Sequence, residues 1–312
     1  MSSNKSGLKI QSGGAFGASM IFGTWVLILR GVTLPGYFVT IITSFTGFLG
    51  LLIYAIITGK KSSFLNVLKH KKLIRLIALV ALFEAVQKAL FVLAFQLAIL
   101  NGGSVFIPVI RAFIGIITPI IAIFVAKKDF SFRYLIYGVL ATLGAVVIFS
   151  WKGLDAGGRV SYVALLFATI SVVVLSVEYI FQRFMAIEMS LSKQLESNVV
   201  TYQAIFSAVF LSPLIIYFLS TSRSAHMNIG VQILFISVFG LTHVALAFIL
   251  RLNALRYITA SQGVIIGYIE QVVSISLSIL FLKEAINIGF VIGAVLIIGS
   301  AIAAGVHSAR PK

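Results

Sequence analysis

Apolar runs of about 20 residues recur along the chain from Gly13 to Val306, and short polar segments separate them. A helix of about 20 residues crosses the roughly 30 Å hydrocarbon core of a bilayer, so each run is long enough to span a membrane. The pattern predicts an all-α integral membrane protein with ten transmembrane helices, over residues 13–31, 35–58, 73–97, 104–126, 134–151, 160–182, 198–220, 230–253, 260–282 and 286–306.

Composition supports a membrane protein and argues against a soluble domain. The 312 residues are 60% hydrophobic and only 10% charged, with a mean hydropathy of +1.12, whereas soluble domains average about 45–50% apolar and about 25% charged residues. The chain has no cysteine, which excludes disulfides, a thiolate nucleophile and thiolate metal ligands. No metal-binding spacing of histidines, nucleotide-binding loop or other enzyme motif is present, so we expect neither a cofactor nor an enzyme.

The formal net charge of +16 belongs to the connecting segments. If the N-terminus is cytoplasmic, sixteen basic residues lie on the inner side, five on the outer side and three within spans. Basic residues mark the cytoplasmic side of membrane proteins, so the distribution predicts that both termini are cytoplasmic. It favours a membrane setting over a nucleic-acid partner, with anionic lipid as the expected partner of the basic segment Lys60–Lys72.

The two halves of the chain share a spacing pattern. Three residues near the fifth span recur near the tenth with an offset of 155 positions: Asp129, Gly138 and Gly144 against Glu284, Gly293 and Gly299. Five spans per half is an odd number, so the second half would be inserted upside down relative to the first. This predicts two inverted repeats, residues 1–152 and 153–312, with a binding site near the midplane between them.

The second half contains a series of motifs: Ala254–Ser261, Tyr268-Ile269-Glu270, Leu282-Lys283-Glu284 and the two glycines that follow. With these motifs it resembles the EamA-type transporters of the drug/metabolite transporter superfamily. The chain departs from the family pattern at Gln271, where proline is usual, and at Asp129, where glutamate is usual. Membership would imply a ten-helix secondary transporter that works by alternating access, with export the expected direction.

Ionisable residues inside the spans are the first candidates for a substrate site, because each is costly in a bilayer unless it faces a partner or a watery cavity. Glu84 and Lys88 are four residues apart on one helical face, which fits either a self-neutralising pair or a cavity role. Arg111 lies at a depth similar to that of Lys88. The two cations predict a site for a carboxylate or phosphate, and the alternative is that Arg111 extends to the outer headgroups.

A second set of candidates lies near the middle of the later spans. Glu270 is the best candidate for proton coupling, with Glu84 next, because a carboxylate buried in an apolar span is suited to proton exchange. His243 fits either a ligand or a packed core residue. Trp25, Tyr268 and Gln87 fit either a cavity lining or helix packing. Glu178 ranks lower, since it can pair toward the cytoplasmic surface.

The sequence thus predicts a secondary transporter, in the plasma membrane, for a small polar metabolite such as an amino acid or another carboxylate. Two other transport classes stay open: an exchanger of phosphorylated sugars or nucleotide sugars, and an exporter of cationic or lipophilic drugs. A membrane-embedded lipid enzyme is disfavoured because the polar groups within the spans are sparse and deep.

Overall fold

The computed structural model describes residues 13–21, 36–57, 61–100, 106–127, 130–153, 162–221, 229–240, 245–282 and 288–308, and these residues contain helices and no strand. We number the helices α1 to α14. In chain order they are residues 13–21, Gly36–Ile57, Lys61–Asn66, Lys71–Leu100, Phe106–Arg111, Ile114–Val125, Phe132–Gly153, Tyr162–Leu191, Glu196–Thr221, Ile229–Phe239, Ala245–Leu255, Ala260–Gly267, Ile269–Leu282 and Ile288–Ser308.

Within the described residues, helices lie in each of the predicted spans, and a turn interrupts two of them in the middle. The span predicted over 104–126 consists of α5 and α6, which a turn at Ala112 and Phe113 separates. The span predicted over 260–282 consists of α12 and α13, which meet at Tyr268. Among the described residues, three stretches are long and apolar enough to cross a membrane, namely Tyr162–Leu191, Ala260–Phe281 and Ile288–His307.

Helix α8 continues nine residues past the predicted end of its span, to Leu191. The extension carries Arg183 and Glu188, which lower its hydropathy and hide it from an apolar-run search. Met185 and Met189 are nonetheless fully buried there, against Leu73 and Ile77 of α4 and neighbouring residues. Packing of one apolar face therefore stabilises a helix end that the average composition does not predict.

The outward face of α14 is more apolar than a soluble protein tolerates. Large side chains point outward from one stripe of the helix, at Val291, Val295, Ile298 and Ile302. The buried stripe carries mostly small side chains, at Ala294, Ile297, Ala301 and Ala304. Large contiguous apolar surface of this kind marks contact with another apolar phase, and small residues at helix contacts are typical of membrane bundles.

Two pairs of long helices form the frame of the bundle. Helix α4 packs along α8, and α7 packs along α14. The second pair meets at Gly144 and Gly293, where a β-carbon added to Gly144 would lie 2.7 Å from the carbonyl oxygen of Gly293. Gly299 corresponds to Gly144 in the repeated spacing but has no such contact, because no described atom lies within 4 Å of the position of an added β-carbon.

The EamA-like segment Ala254–Ser261 contains a helix start. Thr259 caps α12, since its side chain accepts from the backbone N–H of Gln262 at 3.2 Å, and the Gln262 side chain accepts from the N–H of Thr259 at 2.9 Å. Gln262 also donates to the carbonyl of Ala304 on α14, at 3.0 Å. This capping box fixes where α12 begins and ties it to the last helix.

We predict that Gly144→Ala destabilises the protein while Gly299→Ala does not. Replacing glycine by alanine within a helix favours folding by about 1 kcal/mol, and overpacking a tight contact costs about 1–3 kcal/mol. Only Gly144 has the tight contact, so its variant should lose stability on balance and the Gly299 variant should be neutral or more stable. Thermal unfolding in mild detergent measures both, and equal midpoints would contradict close packing of α7 on α14.

Candidate substrate site in the centre of the bundle

Glu84 on α4 is the most completely bound carboxylate in the described part of the chain. It is 4% exposed, and three donors reach it: Lys88 Nζ at 2.5 Å, Gln203 Nε2 at 3.0 Å and Ser207 Oγ at 2.7 Å. Each helix supplies its groups one turn apart, at 84 and 88 on α4 and at 203 and 207 on α9, so both present them on a single face. The structure thus brings Glu84 and Lys88 together, and it adds Gln203 and Ser207.

A small cavity lies beside the Glu84 carboxylate. Helices α2, α4, α9 and α11 surround it through Gly47, Leu51, Glu84, Val200, Gln203, Ala204, Ala245 and Phe248. The lining is apolar except at Glu84 and Gln203. With a volume of about 20 Å³, the cavity has room for a single water molecule beside the Glu84 carboxylate.

Glu178 on α8 belongs to the same central cluster. Its side chain is 2% exposed, and Oε1 accepts a hydrogen bond from Gln182 Nε2 at 2.8 Å. It interacts electrostatically with Glu84 and Lys88 of α4, and also with Arg111 and Arg251. Sequence analysis ranked Glu178 below the other candidates, because its position in the inner part of a span does not show which neighbouring helix it contacts.

Arg111 and Arg251 lie over aromatic rings. The guanidinium of Arg111 is 4.6 Å from the ring centroid of Phe91, and that of Arg251 is 5.1 Å from the ring of Tyr179. Both arginines also interact electrostatically with Glu178 and Glu270. Aromatic faces stabilise cations that have left water, so the two guanidinium groups can be held in the protein interior.

Arg251 is the charged site residue that sequence reasoning missed. It lies within the predicted eighth span, two residues from its inner end, where an arginine usually extends to the headgroups. Its contact with Tyr179 of α8 depends on tertiary packing. The available signal was its charge inside a predicted span, the same signal that selected Arg111.

The Tyr268 side chain binds backbone groups at the turn between α5 and α6. Its hydroxyl donates to the carbonyl oxygen of Ala112 and accepts from the backbone N–H of Gly115 at 2.9 Å. Thr142 of α7 also donates to the Ala112 carbonyl, at 2.9 Å. Backbone groups freed by a helix break inside a membrane need protein partners, and these two side chains provide them. Tyr268 is 2% exposed and its hydroxyl is bound, so the structure places it at a helix contact.

The two broken spans meet at the charged cluster. Arg111 is in the last turn of α5, immediately before the first break, and Glu270 is in the first turn of α13, immediately after the second. A carboxylate is favoured near the N-terminus of a helix by the helix dipole, which helps to stabilise Glu270 there. The breaks therefore bring a cation and an anion from opposite halves of the chain into one central site.

The remaining predicted site residues divide into two groups. Gln87 of α4 is buried, and its backbone carbonyl accepts a hydrogen bond from Ser171 Oγ of α8 at 3.0 Å. Its side-chain oxygen has no hydrogen-bond partner among the described residues. Trp25 and His243 lie outside the described residues. Within the described ranges, no group of three or more histidine, aspartate or glutamate side chains is arranged to hold a metal ion.

The large apolar surfaces on the outward faces of the helices define an integral membrane protein as the class of protein. Residues 162–305 match the EamA-like transporter family. The predicted resemblance to EamA-type transporters is thus confirmed over this stretch, and the family is one of multi-pass membrane transporters in the drug/metabolite transporter superfamily.

One solved structure, titled "Crystal structure of protein", superimposes on the chain with a TM-score of 0.73 at 17% sequence identity, covering 96% of this chain and 98% of the other. At that identity the similarity concerns the fold alone. No curated protein sequence matches the chain.

We predict that Glu84→Gln destabilises the protein and that adding Lys88→Met restores most of the loss. Removing one partner of a buried ion pair costs about 3–5 kcal/mol, and the loss here should be smaller because the Lys88 side chain keeps 24% exposure. Replacing both partners removes the uncompensated charge. A double-mutant cycle of thermal unfolding measures the coupling.

The ion pair between Lys72 and Glu188 is the matched control for this cycle. It joins α4 and α8 at 2.5 Å, with the Lys72 side chain 74% exposed. Exposed pairs contribute about 0–1 kcal/mol, so Lys72→Met should change stability little. If Glu84→Gln is as mild as Lys72→Met, Glu84 is not a buried anchor of the central cluster.

Proposed function

We propose that this protein is a secondary transporter for a small carboxylate-bearing metabolite, such as an amino acid, and that it works by alternating access. The observation that carries the proposal is the meeting of two broken spans at a site with three carboxylates and three cations, namely Glu84, Glu178 and Glu270 with Lys88, Arg111 and Arg251. Discontinuous helices that meet near the midplane form the substrate sites of many secondary transporters.

Arg111 and Arg251 are the proposed anchors for the anionic group of the substrate. A guanidinium presents a fork of donors suited to a carboxylate, and each of these is held over an aromatic ring. The apolar walls of the nearby cavity, including Phe248 and Leu51, would contact the rest of the substrate. Glu84 would then serve as the fixed counter-charge that keeps Lys88 in the site.

The proposed architecture is ten transmembrane helices in two inverted five-helix repeats, residues 1–152 and 153–312. The break at Ala112 and the break at Tyr268 support it, because they are 156 positions apart, within one residue of the offset between the repeated glycines. We further propose a plasma-membrane location with both termini in the cytoplasm. Export as the direction of transport rests on the family resemblance.

Anionic lipid is the proposed partner of the segment Lys60–Lys72. Within it, helix α3 and the turn that follows expose Leu65 and Leu68 beside Lys69 and Lys71. Exposed leucines next to lysines fit a segment that lies in the headgroup region of an anionic leaflet. The basic residues would hold this surface on the cytoplasmic side.

A thermal-shift screen tests the proposed substrate class. Purified protein would be heated with alanine, glutamate, succinate, glucose 6-phosphate or ethidium, since a ligand that binds the folded state stabilises it by about 2.7 kcal/mol at one hundred times its dissociation constant. We expect a carboxylate to raise the melting temperature of the wild type, and Arg111→Ala to abolish the shift.

Arg133→Ala is the matched control, because Arg133 is an exposed arginine that contacts His307 away from the central cluster. It should keep the ligand-induced shift. Stabilisation by glucose 6-phosphate alone would favour an exchanger of phosphorylated solutes, and stabilisation by ethidium alone would favour drug export. Either result would contradict the carboxylate proposal.

A further inference from the structure

Glu84 and Glu178 face each other across the contact between α4 and α8 and differ in how they are bound. Both oxygens of Glu84 have donors, from Lys88, Gln203 and Ser207. Glu178 has one donor, the amide of Gln182 on Oε1, and its Oε2 has no hydrogen-bond partner among the described residues. Both oxygens of Glu84 therefore have hydrogen-bond donors, whereas only one oxygen of Glu178 has a donor.

Leaving a charged oxygen buried without a partner is much more costly than leaving a neutral one. Glu178 is 2% exposed, so water does not compensate Oε2 directly. The charged groups that face it are Glu84 and Lys88 from α4, Arg111 from α5 and Arg251 from α11. Lys88 is already in an ion pair with Glu84 at 2.5 Å, which leaves the arginines to interact with Glu178 and Glu270 together.

We infer that Glu178 is the proton-binding residue of the central site, and that it carries a proton when the site is closed as it is in this structure. The proton sits on the side chain whose Oε2 has no partner, while Glu84 stays charged because three donors hold it. This inference rests on the proposed transport function for its biological meaning, and it moves the proton-binding role from Glu84 and Glu270 to a residue that ranked low.

The inference explains how the site can accept an anion. With all six groups charged, the three carboxylates and three cations sum to zero. A proton on Glu178 raises the sum to one positive charge, which matches a substrate with a single negative charge. Two interacting carboxyl groups also bind protons as a pair, so Glu84 acts on the proton at Glu178 without binding it.

Infrared spectroscopy tests the inference without a substrate. A protonated carboxylic acid has a C=O stretching band that a carboxylate lacks, and that band shifts in heavy water. The chain has only eight aspartate and glutamate residues, so the spectrum is simple. We expect the purified wild-type protein to show the band at neutral pH, Glu178→Gln to lose it, and the matched control Glu188→Gln, whose carboxylate pairs with the exposed Lys72 outside the central cluster, to keep it.

Absence of the band in the wild type, or its persistence in Glu178→Gln, would overturn the inference. Glu178→Asp is the second variant if Glu178→Gln fails to fold: it keeps a carboxyl group in a shifted position, so the band should remain at a changed frequency, and an unchanged band would overturn the inference. The thermal-shift screen is independent of this measurement. A band at Glu178 without any stabilising carboxylate would contradict the proposed function alone, and a stabilising carboxylate without the band would contradict this inference alone.

Discussion

The hydroxyl group of Tyr268 is the interaction on which the central site depends. Inside a bilayer, a broken helix is tolerated only where protein groups replace the lost backbone hydrogen bonds. Tyr268 does this for Ala112 and Gly115 from the other half of the chain, and Thr142 assists at the Ala112 carbonyl. Because Tyr268 itself stands at the break between α12 and α13, one side chain joins both discontinuities.

The positions of the charges follow from this junction. Arg111 precedes the first break and Glu270 follows the second, so joining the breaks brings the two residues to one place. The long contact between α4 and α8 brings the other acidic groups there, with Glu84 bound by α9 and Glu178 bound by Gln182. Apart from Glu178, each charge has a counter-charge, an aromatic ring or a helix end as its compensation, and this is how a bilayer protein can keep several of them.

Local patterns in the sequence predicted the features that depend on a single helix. The spans follow from apolar runs, and the Glu84–Lys88 contact follows from four-residue spacing on α4. The break at Ala112 has no such pattern: Pro119 lies within α6 rather than at the break. The role of Tyr268 depends on a partner 156 residues away, which no local pattern encodes.

The roles of the charged residues also depend on contacts between helices, which local sequence patterns do not predict. Arg111 and Arg251 both lie in predicted spans, but only the structure shows that their guanidinium groups lie over Phe91 and Tyr179. Glu178 looked like a residue near the cytoplasmic end because its helix, α8, extends further than its apolar run. Hydropathy measures the average of a segment, whereas these roles depend on which face of the helix meets which neighbour.

The most direct test of this account is hydrogen exchange of the peptide that contains Gly115, compared between wild type and Tyr268→Phe. The substitution removes only the hydroxyl, so the Gly115 N–H loses its acceptor and the Ala112 carbonyl loses one of its donors, at a cost of about 1–3 kcal/mol. We predict faster exchange at residues 112–117 and a lower melting temperature, with no change in Tyr257→Phe, whose side chain is 52% exposed. Unchanged exchange and stability in Tyr268→Phe would contradict the claim that this hydroxyl holds the two broken helices together.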